Sequence, residues 1–200
     1  MTIKILNLYS GIGGNRKLWN GDIEVTAIEN QENIAKIYQD FFPNDKVIVT
    51  DAHQYLLEHY MEFDFIWSSP PCPSHSRLRT MNPKQNKPIY PDMKLYEEII
   101  FLKKWFKGKF VVENVKPYYK PLIECQEIQR HCFWANFDIA PIQIPHNEDV
   151  RESVIKTKEK ALGICLDGYK GIEKCKILRN CVKPELGKHI FDCAFNAIIW

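Results

Sequence analysis

Residues 3–14 read Ile-Lys-Ile-Leu-Asn-Leu-Tyr-Ser-Gly-Ile-Gly-Gly, an apolar run (Ile3–Tyr9) that stops on a glycine-rich turn. An apolar run rich in isoleucine and leucine suits a strand buried on both faces, as in a parallel sheet. Glycines just after it let the backbone take positive φ and come close to a bound molecule. Outward from this stretch, strand and helix signals alternate. Val25–Glu29 reads as a second strand, and 31–42 as a helix with Ile34, Ile37, Tyr38 and Phe41 on one face. Lys46–Asp51 and Phe63–Ser69 read as strands on either side of a short helix at His53–Tyr60. Asp92–Phe106 reads as a helix carrying Leu95, Ile99, Leu102 and Phe106, and Phe110–Val115 as a fifth strand. Strands separated by helices predict an α/β fold, a mostly parallel sheet with helices on both faces. Beyond Val115 the pattern loosens. His131–Ile139 is expected as a strand, Glu148–Leu162 as a polar helix and Glu185–Ile199 as a terminal helix.

The 200 residues fit one domain. A formal charge of +2 is too small to indicate a nucleic-acid partner, so the local gathering of basic residues matters more than the total. Seven cysteines, an odd number without CxxC spacing, follow no signal peptide and no membrane-length apolar stretch. Free thiols in a cytosolic compartment are expected. A zinc site from Cys125, His131, Cys132 and Cys165 or Cys175 is the disfavoured reading, because structural zinc sites usually bring a close ligand pair; no metal is expected.

In open parallel sheets ligands bind beyond the carboxyl ends of the strands. Here Ser10–Gly14, Glu29, Asp51, Pro70–Cys72 and Glu113–Val115 all fall just after expected strands. The turn Tyr9–Gly14 fits a dinucleotide, S-adenosylmethionine or a plain tight turn. Glu29 stands where a carboxylate accepts ribose hydroxyls, and Asp51 where one accepts from an adenine amino group. Either could instead cap a helix, but their joint occurrence favours an adenosine cofactor. Cys72, in Ser69-Pro70-Pro71-Cys72-Pro73, is held rigidly by its prolines. Its polar neighbours Ser74, His75, Ser76 and Arg77 favour a reactive thiolate over burial. Glu113, in Glu113-Asn114-Val115, is expected to hold a proton near neutral pH, or else to serve as a salt-bridged or capping residue. Residues 70–91 carry six prolines (Pro70, Pro71, Pro73, Pro83, Pro88, Pro91) with Arg77, Arg79, Lys84 and Lys87. A structureless loop of this length is usually functional.

Taken in order, LYSGIGG, the strand end at Glu29, Asp51, SPPCP, ENV and a late Asn180-Cys181-Val182-Lys183-Pro184 resemble the DNA (cytosine-5) methyltransferases. The likeness covers most of residues 3–137 and resumes at 178–195. It implies a Rossmann-like S-adenosylmethionine-dependent methyltransferase fold, with S-adenosylmethionine as cofactor and a cytosine in DNA as target. It further implies that Cys72 attacks C6 of a flipped-out base while Glu113 steadies the ring. By the same likeness Tyr9, Ser10, Gly11, Gly13 and Gly14 hold the cofactor with Glu29 and Asn30, with Asp51 and Ala52, and with Pro70, Asn180 and Cys181. Ser76, Arg77 and Arg79 would contact DNA.

Three departures stand out. Pro73 replaces the usual glutamine. The later arginine motif survives only as Gln129-Arg130-His131-Cys132, from which Arg130 alone carries over as a catalytic residue. Residues 138–177, about forty, stand where a large target-recognition region is usual. Their charged helix (Arg151, Glu152, Lys156, Lys158, Glu159, Lys160) is expected to be a solvated face, with a reduced DNA-binding element as the alternative. The chain is therefore read as one catalytic domain, 1–200, with a reduced segment at 138–177. Rival readings are the same chemistry on RNA, whose branch carries a Cys-Phe-Thr signature missing here, and a non-catalytic cofactor- or DNA-binding subunit. The second needs a protein partner supplying sequence recognition, and intact Cys72 and Glu113 oppose it. A Rossmann dehydrogenase would leave PPC and ENV without a role. Such a compact enzyme suits restriction-modification or phage DNA protection in bacterial cytoplasm.

Overall fold

The computed structural model describes residues 1–81, 87–144 and 155–195. β1 (Ile3–Leu8) lies at the centre, parallel to β2 (Ile23–Glu29) on one side and β4 (Phe65–Ser68) on the other. β3 (Lys46–Val49) pairs in parallel with β2, and β5 (Lys109–Val115) with β4. An antiparallel hairpin of β6 (Gln126–Ile128) and β7 (His131–Ala135) completes the sheet, whose order is β3-β2-β1-β4-β5-β7-β6. The expected mostly parallel α/β sheet is the one that forms.

Side-chain alternation along β1 divides the core. Leu6 and Leu8 pack with Leu56 of α2 (Ala52–His59) and with Leu95, Ile99 and Leu102 of α4 (Lys94–Trp105). Ile5 belongs to the opposite cluster, with Phe65, Trp67 and Val111 against Leu186, Ile190 and Phe191 of α7 (Pro184–Phe195). Each such side chain, fully buried, contributes about 1.5–3 kcal/mol of apolar transfer. A third cluster joins distant segments: Ile12, and Ile34 and Ile37 of α1 (Glu32–Phe41), meet Leu162 of α5 (Ile155–Leu162), Leu166, Leu178 of α6 (Lys174–Asn180) and Cys181.

The expected strand His131–Ile139 ends at Ala135 and is preceded by β6, which sequence patterning did not indicate. The two-residue turn Gln129-Arg130 holds Gln129 at φ 53°, where glycine or asparagine would have been the usual signal. The proline-rich loop is not structureless throughout. It carries α3 (Leu78–Met81) and an antiparallel bridge from Ser76 to Pro117, while Pro83 and Lys84 lie outside the described residues. Of the polar helix, Ile155–Leu162 is described; Arg151 and Glu152 are not among the described residues. Nor is this helix wholly a solvated face. Lys156 is exposed, but Lys158 and Glu159 are buried, Lys158 Nζ bonding Cys175 Sγ (3.1 Å) and Glu159 accepting from the Leu166 amide (2.6 Å).

Candidate active site

From β1 the chain winds outward through β2 and β3, then returns as β4 and β5 on the other side. That reversal opens a crevice at the carboxyl ends of β1 and β4. A cavity of about 470 Å³ fills it, within the span usual for small-molecule sites. Its floor is made by strand ends: Tyr9, Ser10 and Gly11 after β1, Glu29 closing β2, Pro70 to Cys72 after β4, and Glu113 with Asn114 on β5. Ser68 pairs with Val112, so the segment after β4 runs beside Glu113 and Asn114. The Asn114 amide donates to the Pro70 carbonyl at 2.9 Å and pins the two strand ends together. Ile172, Lys176, Arg179, Asn180 and Cys181 form the facing wall.

On the β1–β2 side, Glu29 is buried and accepts from the Gly11 amide (3.1 Å) and the Gln31 amide (3.0 Å). Burial raises its carboxyl above the ordinary value against the pull of those amides. The Ser10 hydroxyl is buried at the cavity edge without a hydrogen-bond partner among the described residues. An unpaired buried hydroxyl is costly, and a bound polar ligand would satisfy it. Gly14 also lines the cavity, and a Cβ there would stand 2.7 Å from the Val182 carbonyl oxygen and 2.9 Å from Cys181 Cβ. The glycine turn thus fits directly under the late Asn-Cys-Val segment. Gly13 acts from behind: at φ 79° its α-carbon packs on the rings of Phe42 and Tyr38, and it does not line the cavity. Asn30, Asp51 and Ala52 do not line it either. Asp51 is the N-cap of α2, accepting from the Gln54 amide at 2.8 Å.

Beneath the floor lies a polar network that sequence reasoning missed. Glu98, fully buried on α4, accepts from the Tyr9 hydroxyl (2.6 Å) and the Ser68 hydroxyl (2.6 Å), and pairs with His53 Nδ1 (2.9 Å). Tyr9 is held at φ 54°, unfavourable for a bulky residue, and this hydrogen bond helps to fix it there. The available signal was a glutamate one residue before Ile99, inside the apolar stripe of Leu95, Ile99 and Leu102.

On the β4–β5 side, Cys72 is half-buried, and burial first, then the Glu113 carboxylate, push its thiol above the ordinary value; Arg130 and Arg179 pull it the other way. The polar neighbours expected to favour a thiolate do not supply that environment. Ser74 and His75 fold beneath the loop, His75 bonding the Tyr119 hydroxyl at 2.6 Å, and burial lowers the imidazole so that it stays uncharged at neutral pH. Glu113 is buried and meets His131 Nδ1 at 2.5 Å, a partner not anticipated. Arg130 lines the cavity and donates to His131 Nε2 (3.1 Å) and to the Arg179 carbonyl (3.0 Å). Ser76 lines the cavity mouth. Arg77 and Arg79 bond loop carbonyls at Pro117 (3.2 Å) and Lys87 (2.6 Å) outside it.

The disfavoured zinc set is dispersed. His131 turns to Glu113, Cys175 to Lys158, and Cys165 is exposed beside Glu159 and Asp167. Cys125 and Cys132 do converge, but with Glu127, which is ion-paired to Lys116 at 2.6 Å.

Against solved structures the chain aligns over its full length with the whole of the Entamoeba histolytica methyltransferase EhMeth, at TM-score 0.60 and 12% identity. That likeness is one of fold, the α/β Rossmann-like methyltransferase fold. The model for C-5 cytosine-specific DNA methylases matches residues 3–121, more than half of the chain, and the chain belongs to that family. S-adenosylmethionine is its cofactor, and cytosine methylation its general reaction. Looser likenesses include the Spodoptera frugiperda DNMT2 (27% identity over 60% of this chain and 38% of that one, TM-score 0.43). Another is a methyltransferase of Agrobacterium tumefaciens (13% identity, 60% and 40%, TM-score 0.42). No curated protein matches. No described helix is long and apolar enough to cross a membrane.

Proposed function

We propose that the protein methylates carbon 5 of cytosine in DNA through a covalent bond between Cys72 and C6 of an extruded base. The observation that carries this reading is the shared cavity. Cys72 and Glu113 line it at the ends of two adjacent strands, opposite the glycine turn and Glu29. In this reading Tyr9, Ser10, Gly11 and Glu29 bind the cofactor, with Asn180 and Cys181 closing over it. Gly13, Asn30, Asp51 and Ala52 support the pocket from outside, and Pro70 fixes the turn into Cys72. When bound, S-adenosylmethionine supplies an electrophilic methyl group on a sulfonium.

The thiol of Cys72 loses its proton and its sulfur pair bonds to C6. Electron density then moves to C5, while Glu113 shares a proton with N3 and accepts from the exocyclic amine, so that charge does not accumulate on the ring. C5 would take the methyl group as its bond to the sulfonium breaks and a neutral thioether leaves; a base then removes the C5 proton, and the C6–S bond breaks with its electron pair returning to the Cys72 sulfur. Burial and the Glu113 carboxylate favour the thiol form of Cys72, so attack draws on the opposing pull of Arg130 and Arg179 toward the thiolate. Arg130 and Arg179 offer positive charge at the cavity. Ser76, Arg77 and Arg79 lie on the loop that would follow the DNA backbone. We read 1–200 as one catalytic domain, supported by the apolar cluster that joins α1 to α5 and α6, with 138–177 as a reduced recognition segment.

Duplexes containing 5-fluorocytosine test the reading, because the missing C5 proton blocks the final elimination. Incubation with S-adenosylmethionine is expected to give a denaturation-resistant protein–DNA adduct that Cys72→Ala abolishes. An adduct on RNA alone would move the substrate to RNA. An adduct only after a second protein is added would make this chain one part of a complex.

A further inference from the structure

We propose that His131 is a positioning residue for Glu113, fixing which carboxyl oxygen faces the base; this rests on the reading of Glu113 above. The register of β5 and β7 pairs Val115 with His131 and Glu113 with Phe133, so His131 reaches along the sheet to the Glu113 carboxyl. Nδ1 and Oε1 are 2.5 Å apart, and both side chains are about nine-tenths buried. The second ring nitrogen is also committed, since Arg130 Nε donates to it at 3.1 Å. A guanidinium can only donate. Nε2 is therefore an acceptor, the single ring proton sits on Nδ1, and Nδ1–H donates to Oε1.

That fixes the roles of the two carboxyl oxygens. Oε1 is held as an acceptor, so a proton on Glu113 resides on Oε2, the oxygen left for a ligand in the cavity. A carboxyl free to carry its proton on either oxygen, in either rotamer, would have to be ordered anew for each base. The chain Arg130–His131–Glu113 does that ordering before a base arrives, as expected where catalytic groups are preorganised. A purely structural role for His131 is the alternative, since its ring also stacks on Phe133 (centroids 5.9 Å apart, 30° between planes).

Two substitutions separate these roles. His131→Phe keeps the ring and its stacking but donates nothing. His131→Asn loses the ring but keeps an N–H near the Nδ1 position. Single-turnover methyl transfer to cytosine, in DNA or RNA, whichever is active, is expected to fall about tenfold to a hundredfold in His131→Phe, the effect of losing one buried hydrogen bond and leaving its acceptor unpaired. In His131→Asn it should stay within about threefold, with cofactor affinity unchanged in both. A structural role predicts the opposite order, and that order, or equal losses, overturns the proposal. In a Glu113→Gln background His131→Phe should cost little more, since the two act as a unit. If Glu113→Gln alone leaves transfer unchanged, the reading of Glu113 has failed; if Glu113→Gln cripples transfer but His131→Phe does not, only the present proposal has. Ring ¹⁵N NMR gives a readout independent of turnover: the Nδ1–H tautomer is expected, and an Nε2–H tautomer sinks the idea.

Discussion

The floor of the cavity and its facing wall are assembled by different means. The floor is a row of strand ends, where Ser10, Glu29, Cys72 and Glu113 take their positions from parallel register and from the Asn114–Pro70 hydrogen bond. The wall, 171–182, belongs to no strand and is held by packing contacts and by the Arg130 hydrogen bond to the Arg179 carbonyl. Leu178 and Cys181 sit in the cluster with Ile12 and Ile34, Gly14 lies against Val182, and Gly187 lies against Asn15. Backbone ladders tolerate surface change, whereas a wall set by contact is lost when one contact opens. The floor should therefore respond to substitution in its chemistry, and the wall in its affinity and stability.

The sharpest break on the floor is Glu113→Gln, expected to lower turnover about a hundredfold or more while cofactor affinity in calorimetry is retained. Near-normal turnover would take Glu113 out of the mechanism. The same substitution should make Cys72 more reactive, because it removes the negative charge that helps raise its thiol while leaving burial in place. Iodoacetamide labelling of the Cys72 peptide, followed against pH, should therefore start at lower pH in Glu113→Gln than in the native chain. An unchanged profile would show that burial alone sets the thiol.

On the wall, Gly14→Val should push Val182 and Cys181 away, costing about 1–3 kcal/mol in urea unfolding, as overpacking does, and weakening the cofactor. Unaltered stability and affinity would mean that the two segments are not in contact in solution. Between the two carboxylates near the cofactor, Glu29→Ala should cost more cofactor affinity than Asp51→Ala, whose main effect is the loss of an N-cap, about 1 kcal/mol. The reverse order in calorimetry would return Asp51 to the binding site.

The smallest effect concerns the layer under the floor. Hydrogen bonding to Glu98 raises the His53 imidazole above its ordinary value. That pair therefore contributes most below about pH 6.5, the ordinary histidine value, and its contribution is lost as pH rises through the raised one. The difference in thermal midpoint between the native chain and His53→Gln should accordingly shrink from pH 5.5 to pH 8.5. A constant difference would mean that His53 does not titrate in that window.

The order and type of the first five strands were legible because each is a local apolar run closed by a turn residue. The residues after them were legible because a parallel sheet presents its strand ends to one side. Burial of polar groups was less so. Glu98 is one charge among several on α4, and only the packing of α4 on β1 and β4 brings it under Tyr9 and Ser68. His75, beside Cys72 in sequence, was expected to help ionise it, yet it folds away onto Tyr119.

By itself, then, the sequence determined a parallel sheet, a glycine turn that approaches a ligand, and a cysteine and a glutamate at neighbouring strand ends. Hydrophobic periodicity and turn chemistry act over a few residues, and these features need no more. Tertiary structure alone decided that Gly14 meets Val182, that Asp51 caps a helix, and that His131 bonds both Arg130 and Glu113. Those contacts join residues far apart in the chain or select among rotamers. Their energies depend on burial and partner geometry, which exist only once the sheet has closed.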